Sequence, residues 1–152
     1  MTLHTAIVNT KEEKISLEKA KKFIFSEKNG AESIFVGRVR NKNSEKKVIA
    51  VTYDTHDSAV IKSFQTICGD AKNKFDKNAN IFLEHAKGYI PVGKISILIA
   101  VSSGHRDEAF KICRYILEEI KHKSPIWKKE HYAEGKEEWL PGHSLRPKEE
   151  IK

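Results

Sequence analysis

Apolar residues recur every three or four positions along the middle of the chain, starting just after Asp57. This spacing places them on one side of a helix and leaves polar residues on the other side. The pattern therefore predicts an amphipathic helix that packs on a β-sheet. Its core-facing residues are Val60, Phe64, Ile67, Cys68, Ala71 and Phe75.

Two further helices are predicted on either side of this one. The first begins after Ser16, a good N-terminal cap, and stops at Asn29-Gly30. The last runs from Asp107 to about Lys121. The predicted core residues are Leu17, Ala20, Phe23 and Ile24 in the first, and Phe110, Cys113, Leu117 and Ile120 in the last.

Four strands are predicted between the helices, in two pairs. Residues 33–40 alternate in polarity, and after the polar loop 41–47 their expected hairpin partner is the β-rich run 48–53. The second pair is 81–86 and 95–101, joined by a connection from Gly88 to Gly93. Residues 95–101 are nearly all apolar, so we expect a central strand covered on both faces.

This order of elements indicates a two-layer α+β fold. We expect one domain over residues 1–152, with a charged C-terminal tail at 131–152 that adds an edge strand or docks on a partner or a second copy. The main apolar anchor of the tail is expected to be Trp139 and Leu140.

The charge balance narrows the range of partners. Of 152 residues, 28 are basic and 21 acidic, and the formal net charge of +7 favours anionic partners. No apolar run is long enough to span a bilayer and no signal peptide is evident, so a cytoplasmic location is expected. Cys68 and Cys113 lie on helix core faces and are predicted to be reduced packing residues. The seven histidines are scattered, which argues against a metal site.

The most informative segment runs from Lys121 to Glu130. Pro125 forces Ser124 out of the helical region, so Lys121 should lie in a last helical turn and Lys128 on the extended segment that follows. Two lysines from different elements would then converge on one anion-binding pocket. The alternative is that Lys121 only complements the helix dipole.

Two other segments place cations where an anion is expected. Gly37 suggests a bulge in the first strand, whose end presents Arg38 and Arg40 on one face. His105 and Arg106 stand at the start of the last helix, where the positive end of the helix dipole disfavours a cation unless an anion binds between them. Asp107 and Glu108 would offset that charge in the alternative interpretation.

Together these segments resemble the family of molybdopterin synthase catalytic (large) subunits. The resemblance rests on Gly37-Arg38-Val39-Arg40-Asn41, on Ser103-Gly104-His105-Arg106-Asp107-Glu108-Ala109-Phe110, and on the Pro-Ile-Trp-Lys-Lys-Glu core of the segment Lys121 to Glu130. It covers roughly residues 16–130. After Trp139 the tail departs from the family pattern, so Arg146 is left out of the site.

The resemblance implies an α/β hammerhead-like domain with a small additional β portion. It also implies a homodimer whose two ends each hold a small ubiquitin-like sulfur-carrier subunit. The reaction it implies converts cyclic pyranopterin monophosphate to molybdopterin, with dithiolene sulfur from the thiocarboxylate on that subunit's C-terminal Gly-Gly. No cofactor and no metal are expected.

The site residues carried over from the family motif fall into two groups. The catalytic candidates are Lys121 and Lys128. The residues expected to line the substrate are Arg38, Val39, Arg40, His105, Arg106, Lys121, Lys128, Lys129 and Glu130.

Two other functions compete with this one. A basic α+β domain would suit RNA, although Phe23, Phe64, Phe75 and Phe110 are assigned to helix cores and not to an open sheet face. The other alternative is a homologue that binds the small subunit but has lost catalysis, and the presence of both Lys121 and Lys128 argues against it.

Overall fold

The computed structural model describes residues 1–141, which form eight strands and three helices. The tail beyond Pro141, with Arg146, lies outside the described residues. The strands are β1 Leu3–Asn9, β2 Ala31–Arg38, β3 Lys42–Asn43, β4 Lys46–Thr55, β5 Asn80–Pro91, β6 Ile95–Ser103, β7 Ile126–Tyr132 and β8 Glu137–Trp139. The helices are α1 Leu17–Ile24, α2 Asp57–Lys74 and α3 Arg106–Lys123.

The strands form one mostly antiparallel sheet in the order β2-β6-β5-β4-β7-β8. In addition, β1 pairs in parallel with β5, and β3 pairs with the start of β4. This arrangement confirms the predicted α+β class. The strand β1 was not predicted.

Side chains that alternate along β5 and β6 divide the core between the two faces of the sheet. Ile81, Leu83 and Ile99 pack with α2 and α3, whereas Phe82 and Leu98 pack with α1 on the other face. The prediction that β6 is a central, doubly covered strand is confirmed: it lies between β2 and β5, and its residues from Ser96 to Ser103 are buried.

The predicted hairpin between the first two strands is wrong. β2 pairs with β6 along its length, and β4 pairs with β5 and β7. The polar loop folds back as β3 onto β4 itself, with Lys42 opposite Lys47 across a turn at Ser44. β2 is therefore free to join the buried strand β6.

Two element boundaries also differ from prediction. Helix α1 ends at Ile24 and not at Asn29-Gly30, because the side chains of Asn80 and Ser102 donate hydrogen bonds to the Ile24 carbonyl. The predicted connection from Gly88 to Gly93 is mostly strand, since Gly88 to Pro91 pairs with β4. Gly88 has a φ of 95°, which lets β5 bend as it leaves β6 for β4.

Two aromatic residues expected to be buried are exposed. Phe110 is 62% exposed because the buried face of α3 is rotated by about one residue from the predicted stripe. Trp139 is 50% exposed and covers the Lys129 amine instead of anchoring in the core. The buried residues of α3 are Ala109, Ile112, Cys113, Ile116 and Ile120.

Leu17, predicted to be a core residue of α1, is 39% exposed, and the buried residues of that helix are Ala20 and Ile24. The cap of α1, the α2 stripe and the cysteine predictions are confirmed. Ser16 caps α1 by accepting a hydrogen bond from the Lys19 backbone N–H at 3.2 Å. The predicted α2 stripe is buried from Val60 to Ala71, with Phe75 half-buried. Cys68 and Cys113 are free and buried. No helix among residues 1–141 is long and apolar enough to cross a membrane.

Candidate active site

The turn between α3 and β7 sets the two candidate lysines on different elements. Ser124 has the extended angles φ −86° and ψ 132° before Pro125, and its N–H donates to the Ile120 carbonyl as the helix ends. Lys121 therefore lies in the last turn of α3, and Lys128 lies on β7. The predicted placement of both lysines is confirmed.

Lys128 lines a small cavity between the end of β2 and strands β4 and β7. The residues around this cavity are Arg38, Val39, Arg40, Lys42, Val51, Tyr53, Lys128 and Glu130. Its free volume is about 40 Å³, far below the roughly 300–1,000 Å³ typical of ligand pockets. A single copy of the chain therefore does not enclose a substrate-sized space here.

Arg38 and Arg40 meet in this cavity because of the bulge at Gly37 and Arg38, which the sequence predicted. Between the two arginines, Val39 is buried, and its N–H donates to the Lys94 carbonyl at 3.1 Å. The Arg38 guanidinium donates to the Gly93 carbonyl at 2.7 Å. The β5–β6 turn thus holds the Arg38 side chain and the Val39 backbone, and Arg40 lines the same cavity.

A larger cleft of about 460 Å³ adjoins the cavity and shares Arg38 with it. Ile15, Ile90, Pro91 and Ile95 are its apolar residues, and three lysines line it as well: Lys11, Lys14 and Lys94. This volume lies within the range typical of ligand pockets. Arg38 therefore connects the small cationic cavity to a space large enough for a ligand.

The environment of Lys128 favours loss of its proton. Burial lowers the pKa of the Lys128 amine below its ordinary value of 10.5, and the nearby charges of Arg40 and Lys121 lower it further. The carboxylate of Glu130 opposes this effect. A lysine with a lowered pKa exchanges protons more readily near neutral pH.

Glu130 is buried on the same face of β7, with 3% of its surface exposed. Its Oε1 accepts hydrogen bonds from Asn43 Nδ2 at 2.8 Å and from the Tyr132 hydroxyl at 3.0 Å. Lys129 points to the other face, where it pairs with Glu137 at 3.2 Å. Of these two neighbouring residues, only Glu130 reaches the cavity.

His105 and Arg106 are at the opposite end of α3. His105 is the residue before the helix and makes no side-chain cap, and Arg106 is the first helical residue; both are exposed. Fifteen residues separate Arg106 from Lys121, which is roughly 22 Å along a helix. Within one chain, the structure does not bring His105 and Arg106 to the lysine cavity.

Sequence reasoning missed four residues at the site. Lys42 and Tyr53 line the cavity, and Asn43 and Tyr132 bond to Glu130. The sequence placed Lys42 and Asn43 only in the polar loop 41–47 and gave the two tyrosines no role. The period-2 pattern of β7 could have indicated Tyr132, which lies two residues from Glu130. Lys42 and Asn43 had no such signal, because a local pattern does not show that the loop folds back over the site.

Comparison with known proteins places these features in a family. Residues 10–123 match the family model described as MoaE protein. The molybdopterin synthase catalytic subunit of Synechococcus elongatus is 39% identical over 131 residues, which cover 86% of this chain and 79% of that protein. The corresponding subunit of Dictyostelium discoideum is 37% identical over 123 residues, covering 80% and 78%.

Solved structures agree with the sequence relatives. The crystal structure of molybdopterin synthase from Staphylococcus aureus superposes with a TM-score of 0.82 at 31% identity, covering 90% of this chain and 96% of that one. A complex of subunits 1 and 2 of molybdopterin-converting factor from Helicobacter pylori has a TM-score of 0.72, covering 97% and 96%. At 22% identity, this second likeness supports the fold alone.

Proposed function

Since the chain belongs to the MoaE family of molybdopterin synthase catalytic subunits, we propose that it catalyses the sulfur transfer that turns cyclic pyranopterin monophosphate into molybdopterin. The sulfur comes from the thiocarboxylated C-terminus of a small ubiquitin-like subunit. The observation that carries the proposal is the half-buried Lys128 amine, whose pKa is lowered beside Arg40 and Lys121.

The residues in and beside the cavity suit the three tasks of this reaction; Lys121 does not line the cavity, but its charge acts on the Lys128 amine. The guanidinium groups of Arg38 and Arg40 would bind the cyclic phosphate or the pterin oxygens, since arginine can hold such oxygens with two hydrogen bonds. Lys121 and Lys128 would protonate the oxygen that leaves as sulfur adds, and would stabilise negative charge where the acyl group is transferred. Val39 and Glu130 also line the cavity, whereas Lys129 points to the other face of β7 and is left out of the proposed substrate site.

We assign His105 and Arg106 to the site of a second copy. They are exposed and roughly 22 Å from Lys121 along the same helix, whereas the lysine cavity alone is too small for a pterin. In a symmetric dimer, the start of α3 from one copy would complete the cavity of the other. The functional unit in this proposal is a homodimer with one small subunit at each end, in the cytoplasm.

Reconstitution tests the function directly. The purified chain is mixed with the pyranopterin substrate and a thiocarboxylated ubiquitin-like partner, and dithiolene product is measured. The matched control is the same partner with an ordinary C-terminal carboxylate, which has no sulfur to give. Product in both mixtures, or in neither, would contradict the proposal.

An RNA-binding function has less support. Phe110 is exposed and therefore does not argue against RNA binding, but the family match and the lysine cavity both favour the enzyme. The second alternative, an inactive homologue, predicts that the reconstituted mixture binds its partner without making product.

A further inference from the structure

We propose that Asn43 and Tyr132 are positioning residues for the transfer reaction, because together they hold the buried Glu130 carboxylate beside the Lys128 amine. The inference rests on the proposed function only for its kinetic consequence. Its physical core, the control of Lys128 by a fixed carboxylate, is measurable on the purified chain alone.

Two hydrogen-bond donors hold the Glu130 carboxylate. Both donors reach the same oxygen, Oε1, at 2.8 Å from Asn43 and 3.0 Å from Tyr132. A buried carboxylate is costly unless hydrogen bonds compensate for lost water. Two donors on one oxygen therefore stabilise the ionised form and also restrict its rotation.

The two donors come from different parts of the chain. Tyr132 comes from the same strand as Glu130, two residues further on, and is itself buried. Asn43 lies 87 residues away in sequence, on the short β3–β4 hairpin. The next residue in that hairpin, Ser44, has a positive φ of 56°. The Asn43 side chain thus docks the hairpin onto the site, and its neighbour Lys42 lines the cavity.

Both donors keep their protons at neutral pH. Burial and the adjacent Glu130 raise the pKa of the Tyr132 hydroxyl to about 12. The phenol therefore keeps its proton at neutral pH and remains a donor, and the Asn43 amide does not titrate.

The Glu130 carboxylate in turn acts on the Lys128 amine. Arg40 and Lys121 oppose a charge on its amine, and Glu130 supports it. The other titratable groups around the cluster are Arg38, Lys42 and Tyr53 at the cavity, and Lys46 and Glu138 beside Tyr132. If Asn43 or Tyr132 is lost, the Glu130 side chain is free to turn away, and Lys128 loses its counter-charge.

The test follows Lys128 by NMR in protein labelled with ¹³C at the lysine ε-carbon, assigned with Lys128→Arg. Glu130→Gln should lower the pKa of Lys128 by roughly one pH unit. Tyr132→Phe and Asn43→Ala should each lower it in the same direction by a smaller amount. Glu45→Gln is the matched control, since it removes an exposed carboxylate from the same hairpin and should leave the titration unchanged.

A double-mutant comparison decides whether the two residues act through Glu130. Adding Tyr132→Phe or Asn43→Ala to Glu130→Gln should produce no further change in the Lys128 titration. In turnover, the single variants should move the limb of the kcat profile that follows Lys128 to lower pH and leave KM unchanged.

Two results would overturn the inference. One is an unchanged Lys128 titration in both Asn43→Ala and Tyr132→Phe. The other is a change that persists in the Glu130→Gln background. Neither result depends on sulfur transfer, so wild-type chain that titrates as expected but makes no product would count against the proposed function and not against the positioning of Glu130.

Discussion

Lys121 and Lys128 differ in what surrounds their amines, and the difference assigns them separate tests. Lys128 is half-buried on β7 beside Glu130, whereas Lys121 leaves the last turn of α3 without supporting its core. Lys121 therefore has little structural role to confuse with a catalytic one.

Lys121→Ala is expected to slow sulfur transfer by roughly a hundredfold or more, because it removes a fixed cation from the site. The free energy of unfolding should change by no more than about 0.5 kcal/mol, the usual size of a helix-dipole contribution. Lys123→Ala is the matched control: it lies in the same turn but pairs with Glu119 at 2.7 Å. Turnover of the reconstituted synthase and urea unfolding measure the two effects.

Lys121→Arg separates charge from proton transfer. Arginine keeps the positive charge but does not give up a proton near neutral pH. Most activity retained would make Lys121 an electrostatic stabiliser, and a rate as low as that of the Ala variant would require its amine. Wild-type rates in both variants would remove Lys121 from the site and leave Lys128 as the leading candidate.

The lowered pKa of Lys128 also links folding to pH. The unfolded chain holds this proton up to about the ordinary value of 10.5, whereas the folded chain releases it at lower pH. Between those two values the unfolded state binds more protons, so stability contributed by this residue rises with pH. Measured by urea unfolding, wild-type stability relative to Lys128→Met should increase from neutral pH towards 10.5. A constant difference would mean that folding does not lower the pKa of Lys128.

At the scale of elements, the bulge in β2 determines where the arginines lie. A Cβ at Gly37 would be 2.6 Å from Ile97 Cγ2 and 3.3 Å from Phe35 Cε2. Ile97 is buried in β6 and has little room to move. The strand therefore needs glycine at the position that precedes Arg38.

Gly37→Ala should lower the free energy of unfolding by about 1–3 kcal/mol, as expected for overpacking, and should raise the KM for the pyranopterin as Arg38 moves. Gly69→Ala is the control, because nothing lies within 4 Å of its added Cβ in α2. There, alanine should stabilise the helix by about 0.5–1 kcal/mol. Equal effects of the two substitutions would contradict a packing role for Gly37.

Some of these elements could be predicted from the sequence, and others could not. Helix α2 and the break at Ser124 and Pro125 follow from spacing and local backbone restriction, which act over a few residues. The pairing of β2 with β6 was missed because strand partners are chosen by packing between distant segments. Asn43 was missed for the same reason, since its partner Glu130 is 87 residues away.

At the scale of the whole molecule, the separation of Arg106 from Lys121 means that the proposed site needs residues from both copies of the chain. Lys121→Ala and Arg106→Ala chains should each be inactive alone. When the two are refolded together, a mixed dimer would have one intact site, and random pairing should restore about a quarter of wild-type activity. Lys121→Ala mixed with Lys128→Ala is the control and should restore none, because both lysines belong to the same copy. No recovery in the first mixture would place His105 and Arg106 outside the site.

The pairing of distant strands affects how the protein folds during its synthesis on the ribosome. His4 contacts Glu84 across 80 residues, and Thr52 of β4 contacts His131 of β7 across 79. Such long-range contacts slow folding, because the ends of long loops must meet before any energy is gained. Lys128, on β7, is among the last of the described residues to be synthesised. A nascent chain therefore has no complete cation cluster with which to bind the pyranopterin or the thiocarboxylate until Lys128 has been synthesised and β7 has paired with β4.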